Sequence, residues 1–84
     1  MTLTKEQFKE LITGMLEDIN SRHQFYSFSY DEDEAAAYIG MASNTSILHM
    51  AHFDMFLAIG SIYSNVGMWI EAKDNKPVLV IYID

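Results

Sequence analysis

Three groups of residues in this chain have side chains that could do chemistry. They are His49-x-x-His52, the run Asp31-Glu32-Asp33-Glu34, and a set of aromatics large for 84 residues. On a helix, His49 and His52 stand one turn apart, a spacing at which two imidazoles can share a metal ion. A zinc site needs at least three protein ligands, and Asp54 projects about 150–200° away around the helix. No metal site is therefore assigned. The pair reads instead as histidines at a helix surface or interface, where they make binding depend on pH. With Phe53 and Tyr63 they would line an apolar pocket at a subunit interface.

Asp31–Glu34 holds four of the twelve acidic residues. It lacks the glycine and the spaced oxygen ligands of a calcium loop. Adjacent exposed carboxylates keep ordinary pKa values, so no acid/base pair is expected. A solvated turn, or a docking patch for a basic surface, accounts for it. Tyr30 and Trp69 complete that patch, because Tyr and Trp are enriched where proteins bind one another.

Other chemistries lack their parts. The chain contains no cysteine, hence no thiol nucleophile, no disulfide and no thiolate zinc site. The four glycines, Gly14, Gly40, Gly60 and Gly67, are too dispersed to cradle a phosphate. No serine sits in a nucleophile elbow. Arg22 is the sole arginine. A net charge of −7, with five scattered basic residues, argues against direct contact with nucleic acid. No catalytic residue and no cofactor is expected, and the chain reads as a non-enzyme.

The elements that must position these groups belong to one domain, residues 1–84. Thr4-Lys5-Glu6-Gln7 fits a capping box, with Leu3 and Phe8 as a hydrophobic staple. Phe8, Leu11, Ile12, Met15, Leu16 and Ile19 form the apolar face of a first helix, ending near Asn20–Arg22. From His23 to Tyr30 the period changes to two, with Tyr26, Phe28 and Tyr30 on one face of a strand. After the acidic turn a return strand over Ala36–Ala42 is expected. A second helix spans about residues 46–63. It is apolar on two sides: Ile47, Leu48, Ala51, Met55, Ala58, Ile59 and Ile62 form the side assigned to the sheet. His49, His52, Phe53, Phe56, Gly60 and Tyr63 form the other. Two mid-helix glycines, Gly14 and Gly60, suggest that the helices touch there. Strands over Met68–Ala72 and Val78–Ile83, joined by a turn at Lys73–Pro77, close the chain. The last strand is apolar without alternation and should be central. The fold class is α+β, a two-layer sandwich in the order α-β-β-α-β-β. Two helices cover one face of a mostly antiparallel four-stranded sheet.

This arrangement has more apolar faces than one interior can absorb. The spare face, carried by Val78, Val80 and Tyr82, predicts a homodimer. Asp54 interrupts the longest apolar run, so no membrane span is expected. The opening residues lack a basic region followed by an apolar one, so a cytoplasmic location is expected. In size, acidity and lack of cysteine and catalytic motif the chain resembles phage or mobile-element accessory proteins and immunity proteins. That likeness is compositional and covers no specific residues. The function expected is a small acidic inhibitor or modulator of a larger protein with a basic surface, possessing no catalysis of its own. That target could be one that handles nucleic acid. The rival readings are a self-assembling small-molecule binder, using the histidine-lined pocket, and a structural subunit of an assembly.

Overall fold

The computed structural model describes residues 1–21, 26–41 and 50–84, with backbone alone at 41 and 50–53. Its elements are α1 (Lys5–Ile19), β1 (Tyr26–Asp31), β2 (Ala36–Met41), α2 (Met50–Ile62), β3 (Val66–Lys73) and β4 (Lys76–Ile83). The strands form one antiparallel sheet in the order β1-β2-β4-β3. The fold is the expected α+β arrangement, with β4 central.

Local chemistry sets the element ends. The Thr4 hydroxyl accepts the Gln7 N–H at 3.1 Å, and the Gln7 side chain accepts the Thr4 N–H at 3.0 Å. Two of the orphan donors at the start of α1 are thereby satisfied. At the other end Asn20 caps α1 and then acts like a short piece of strand. Its amide oxygen accepts the Tyr26 N–H at 3.2 Å, and its amide N–H donates to the Tyr26 carbonyl at 2.9 Å. Asn65 does the same for Leu3, at 3.0 and 2.9 Å, which ties the N-terminus to the α2–β3 connection.

The hairpin turns use left-handed backbone. Asp74 and Asn75 have φ of 53° and 63°, the signature of a type I′ turn. The turn is thus two residues long, and Lys73, Lys76 and Pro77 belong to the strands. Pro77 pairs with Ala72 beyond the last rung that β4 shares with β2, Gly40↔Val78. Its missing N–H therefore leaves no ladder bond unmade. In the β1–β2 turn the Asp31 carboxylate accepts the N–H groups of Asp33 and Glu34 at 2.9 and 3.0 Å. Ala35 closes that turn at φ 52°.

The core lies between the helices and one face of the sheet. Phe8, Ile12 and Leu16 from α1 and Phe56 and Ile59 from α2 meet Tyr26, Ala37, Ile39, Leu79, Ile81 and Ile83. Two expectations about the helices are overturned. In α2 the sheet-facing side is that of Phe56, with Ile59, whereas Met55, Ala58 and Ile62 are exposed. Apolar residues surround this helix, so periodicity could not choose the inward side; packing does. Gly60 lets α2 approach β3: a Cβ there would lie 3.3 Å from Met68 Cε. Nor do the two glycines meet. Gly14 is exposed, and among the described residues nothing lies within 4 Å of where its Cβ would be. Ile47 and Leu48 lie outside the described residues.

Candidate functional site

The second face of the sheet bears no helix among the described residues, and strand register sorts its side chains into rows. The upper row is Asp31, Ala36, Tyr82 and Gly67; the middle row is Ser29, Tyr38, Val80 and Trp69; the lower row is Ser27, Gly40, Val78 and Glu71. Lys73 and Lys76 follow below Glu71 and Val78.

The middle row is an apolar ridge. Val80 is 0 % exposed, between Tyr38 and Trp69. The Trp69 and Tyr82 rings lie 4.9 Å apart, and Trp69 keeps 45 % exposure. Tyr82 lies across Gly67, where a Cβ would fall 2.3 Å from the ring. Glycine here accommodates the ring laid over it and answers no backbone demand, since its φ is not positive. The glycine thus lets an aromatic side chain cover the backbone of an edge strand.

Below and beside the ridge lies an open groove of about 510 Å³. Ser27, Ser29 and Gly40 leave the space; Tyr38, Val78, Glu71, Lys73 and Asp31 bound it. At Gly40 a Cβ would stand 2.8 Å from Ser27 Oγ, so the floor is filled by any larger residue.

Carboxylates gather around Tyr38. Its hydroxyl donates to Glu34 Oε1 at 3.1 Å. That hydrogen bond, with burial and the negative charges of Glu34, Asp31 and Glu71, raises the phenol pKa above its usual 10.0. The Asp31 carboxyl is held below its usual 3.8, chiefly by the N–H of Glu34, with further help from the Glu34 side chain and the N–H of Asp33. Glu71 accepts the Trp69 indole N–H at 3.4 Å. At neutral pH this face presents acceptors, a half-exposed indole and a protonated phenol.

The residues expected to bind a partner are divided by the fold. Asp31, Glu34 and Trp69 belong to the outer face. Tyr30 points to the helix side, 6.2 Å from the Phe8 ring and 5.5 Å from Lys9 Nζ. Glu32 forms an ion pair with Lys9 at the protein surface, which raises the lysine pKa through that hydrogen bond and charge. Asp33 is at the exposed turn. Of the spare apolar strip, Val78 and Tyr82 are half-buried, while Val80 has no surface left to offer. Of the histidine-lined pocket, Tyr63 is half-buried and packs against the core. His49 and the side chains of His52 and Phe53 lie outside the described residues.

Sequence reasoning missed Tyr38, Glu71 and the small residues of the groove. Period-two alternation in Ala36-Tyr38-Gly40 and in Trp69-Glu71-Lys73 carries the signal, once the register is known. Among the described residues no helix is long and apolar enough to cross a membrane. Comparison with protein-family models, curated proteins and solved structures finds no match.

Proposed function

We infer that this chain is a small acidic binding protein without catalysis of its own. Its outer sheet face docks a basic surface of a larger protein and modulates that protein. The observation that carries the reading is the grouping of Asp31, Glu34 and Glu71 around Tyr38, beside the half-exposed Trp69 and next to an open groove. A lysine or arginine stem from the partner fits between Tyr38 and Val78, with its charged head among the carboxylates. Complementary charge speeds encounter and sets orientation, and a partly exposed Trp supplies contact area. A protein with a nucleic-acid groove has the required basic surface.

Capture from a lysate at low and high salt, repeated with the Asp31→Asn/Glu71→Gln variant, tests this. A basic protein should be recovered at low salt, released at high salt and lost several-fold by the variant. Recovery of nothing at either salt, or capture indifferent to the two carboxylates, would overturn it. Trp69 is the sole tryptophan, so its fluorescence reports contact with the purified partner directly.

A further inference from the structure

The sheet has two edges, and they are finished differently. On β1 the outward peptide groups of Tyr26 are taken by the Asn20 amide. On β3 the closing pair of the two-residue hairpin is Lys73↔Lys76, which turns the peptide groups of Val66, Met68, Ile70 and Ala72 outward. The donation from Ile83 N–H to the Ala35 carbonyl, away from β3, agrees with that alternation. The Val66 N–H is taken by the Tyr63 carbonyl at 3.3 Å. Among the described residues nothing hydrogen-bonds the outward groups of Met68, Ile70 and Ala72. No proline interrupts the strand, one of the devices by which natural edges avoid pairing.

Apolar surface flanks this edge on the helix side. Ile70 is 57 % exposed and Leu57 is 43 % exposed. Leu57 stands one turn before Gly60, the residue that meets Met68, and so lies on the flank of α2 turned toward β3.

We propose that β3 pairs antiparallel with β3 of a second copy, about a two-fold axis at Ile70. In that register Ile70 faces its own copy, and Met68 faces the second copy's Ala72. Outward peptide groups then meet outward peptide groups in three hydrogen-bonded pairs, about six bonds in all. On the outer face Trp69 comes opposite the second copy's Glu71, and Gly67 opposite its Lys73, so no like charges stand directly opposite one another. The Leu57 flanks approach over the seam and cover Ile70. One patch serves both subunits, as a two-fold contact requires. The two-fold contact uses up β3 of both copies, so the product is a closed eight-stranded pair and not a fibre. The occupant is a second copy because the strand is self-complementary in charge, hydrogen bonding and apolar position. The proposal does not rest on the basic-partner reading.

Sedimentation of the full chain across the micromolar range tests it, at low and high salt. The expected mass is twice the 9.6 kDa of one chain. Each copy carries −7, so added salt should strengthen the dimer, whereas it weakens docking of a basic partner. Ile70→Lys should raise the dissociation constant at least tenfold. Leu57→Glu should weaken the dimer several-fold, while Met55→Lys, exposed on the opposite side of α2 from Leu57, should leave it intact. Circular dichroism checks that each variant folds. Amide exchange at Met68, Ile70 and Ala72 should slow as protein concentration rises. A 9.6 kDa species throughout would overturn the proposal. So would a dimer that ignores Ile70→Lys and leaves those amides unprotected.

Discussion

Adjacent residues of β4 are buried by two different means. Ile81 faces the helices and sits in a cluster fed by α1, α2 and three strands. Val80 faces the other way, shares its row with Tyr38 and Trp69, and is equally inaccessible. The helix side is sealed by separate elements that bring their own side chains. The outer side is sealed from within the sheet, by aromatic side chains leaning along their own surface. A layer of helices gives thickness, with many partners for each atom. A single layer of rings gives cover but keeps one side wet. That explains how a two-layer domain can carry an apolar strand at its centre and still present a polar, groove-bearing face.

The greatest loss of stability is expected on the helix side. Ile81→Ala should cost about 2–5 kcal/mol, because a cavity between packed layers relaxes little. Val80→Ala should cost less, about 1–2 kcal/mol, since rings on an open face can settle into the space. Urea unfolding of both variants measures this. Equal losses would mean that the outer cover is as rigid as the helical one. Val80→Lys belongs to the same comparison. It places a charge at a buried position and should destabilise the monomer itself, whatever its effect on association.

A smaller effect tests the cover alone. Gly67→Ala puts a methyl group where the Tyr82 ring now lies. The ring must swing away, taking its contact with Trp69 with it. Overpacking of this kind costs about 1–3 kcal/mol, and the Trp69 fluorescence should change with it. Unaltered fluorescence would show that the ring does not depend on the glycine. Gly40→Val is the counterpart in the groove. It should leave stability within about 1 kcal/mol, since Ser27 Oγ is a movable neighbour, and should fill the space a partner side chain needs.

The fold was readable because each element carried its own signal. The capping box at Thr4 marked a helix start, the aromatic alternation of Tyr26, Phe28 and Tyr30 a half-buried strand, and the unbroken apolar run Val78–Ile83 a central one. The α2 orientation was not readable. When Met55, Phe56, Leu57, Ala58 and Ile59 surround the axis, no moment points inward, and only tertiary packing decides. The outer face was half readable. Trp69 was recognised from its place on an edge-like strand. Tyr38 and Glu71 were not, because their meeting depends on the register across β4. A slip of one residue would send both to the helix side. The expected partner patch is divided by strand alternation: Tyr30 and Asp31 are neighbours in sequence and so lie on opposite faces.

The finest contrast is between two tyrosines, one on each face. Tyr30 and Tyr38 both have phenol pKa values raised above 10.0, for different reasons. Burial comes first for Tyr30, under α1, with Glu32 adding to it and Lys9 opposing. For Tyr38 the first cause is the hydrogen bond to Glu34. A raised folded value means the stabilising contribution is full below the unfolded pKa and disappears as pH rises through the folded one. Both tyrosines therefore contribute to an alkaline loss of stability beginning near pH 10. Asp31 has the opposite sign. Its lowered value gives a contribution present above 3.8 and lost as pH falls through the folded value, on the acid side. Tyrosine-labelled NMR titration separates the two phenols. Glu34→Gln removes the carboxylate that holds the Tyr38 proton and offers the phenolate an N–H donor, so Tyr38 should move back toward 10.0. Tyr30 should keep its raised value, because Glu34 is not among its perturbing groups. If both move together, the two faces share one titrating network through the β1–β2 turn. If only Tyr38 moves, its face is tuned by hydrogen bonding at the turn and the helix face by exclusion of water.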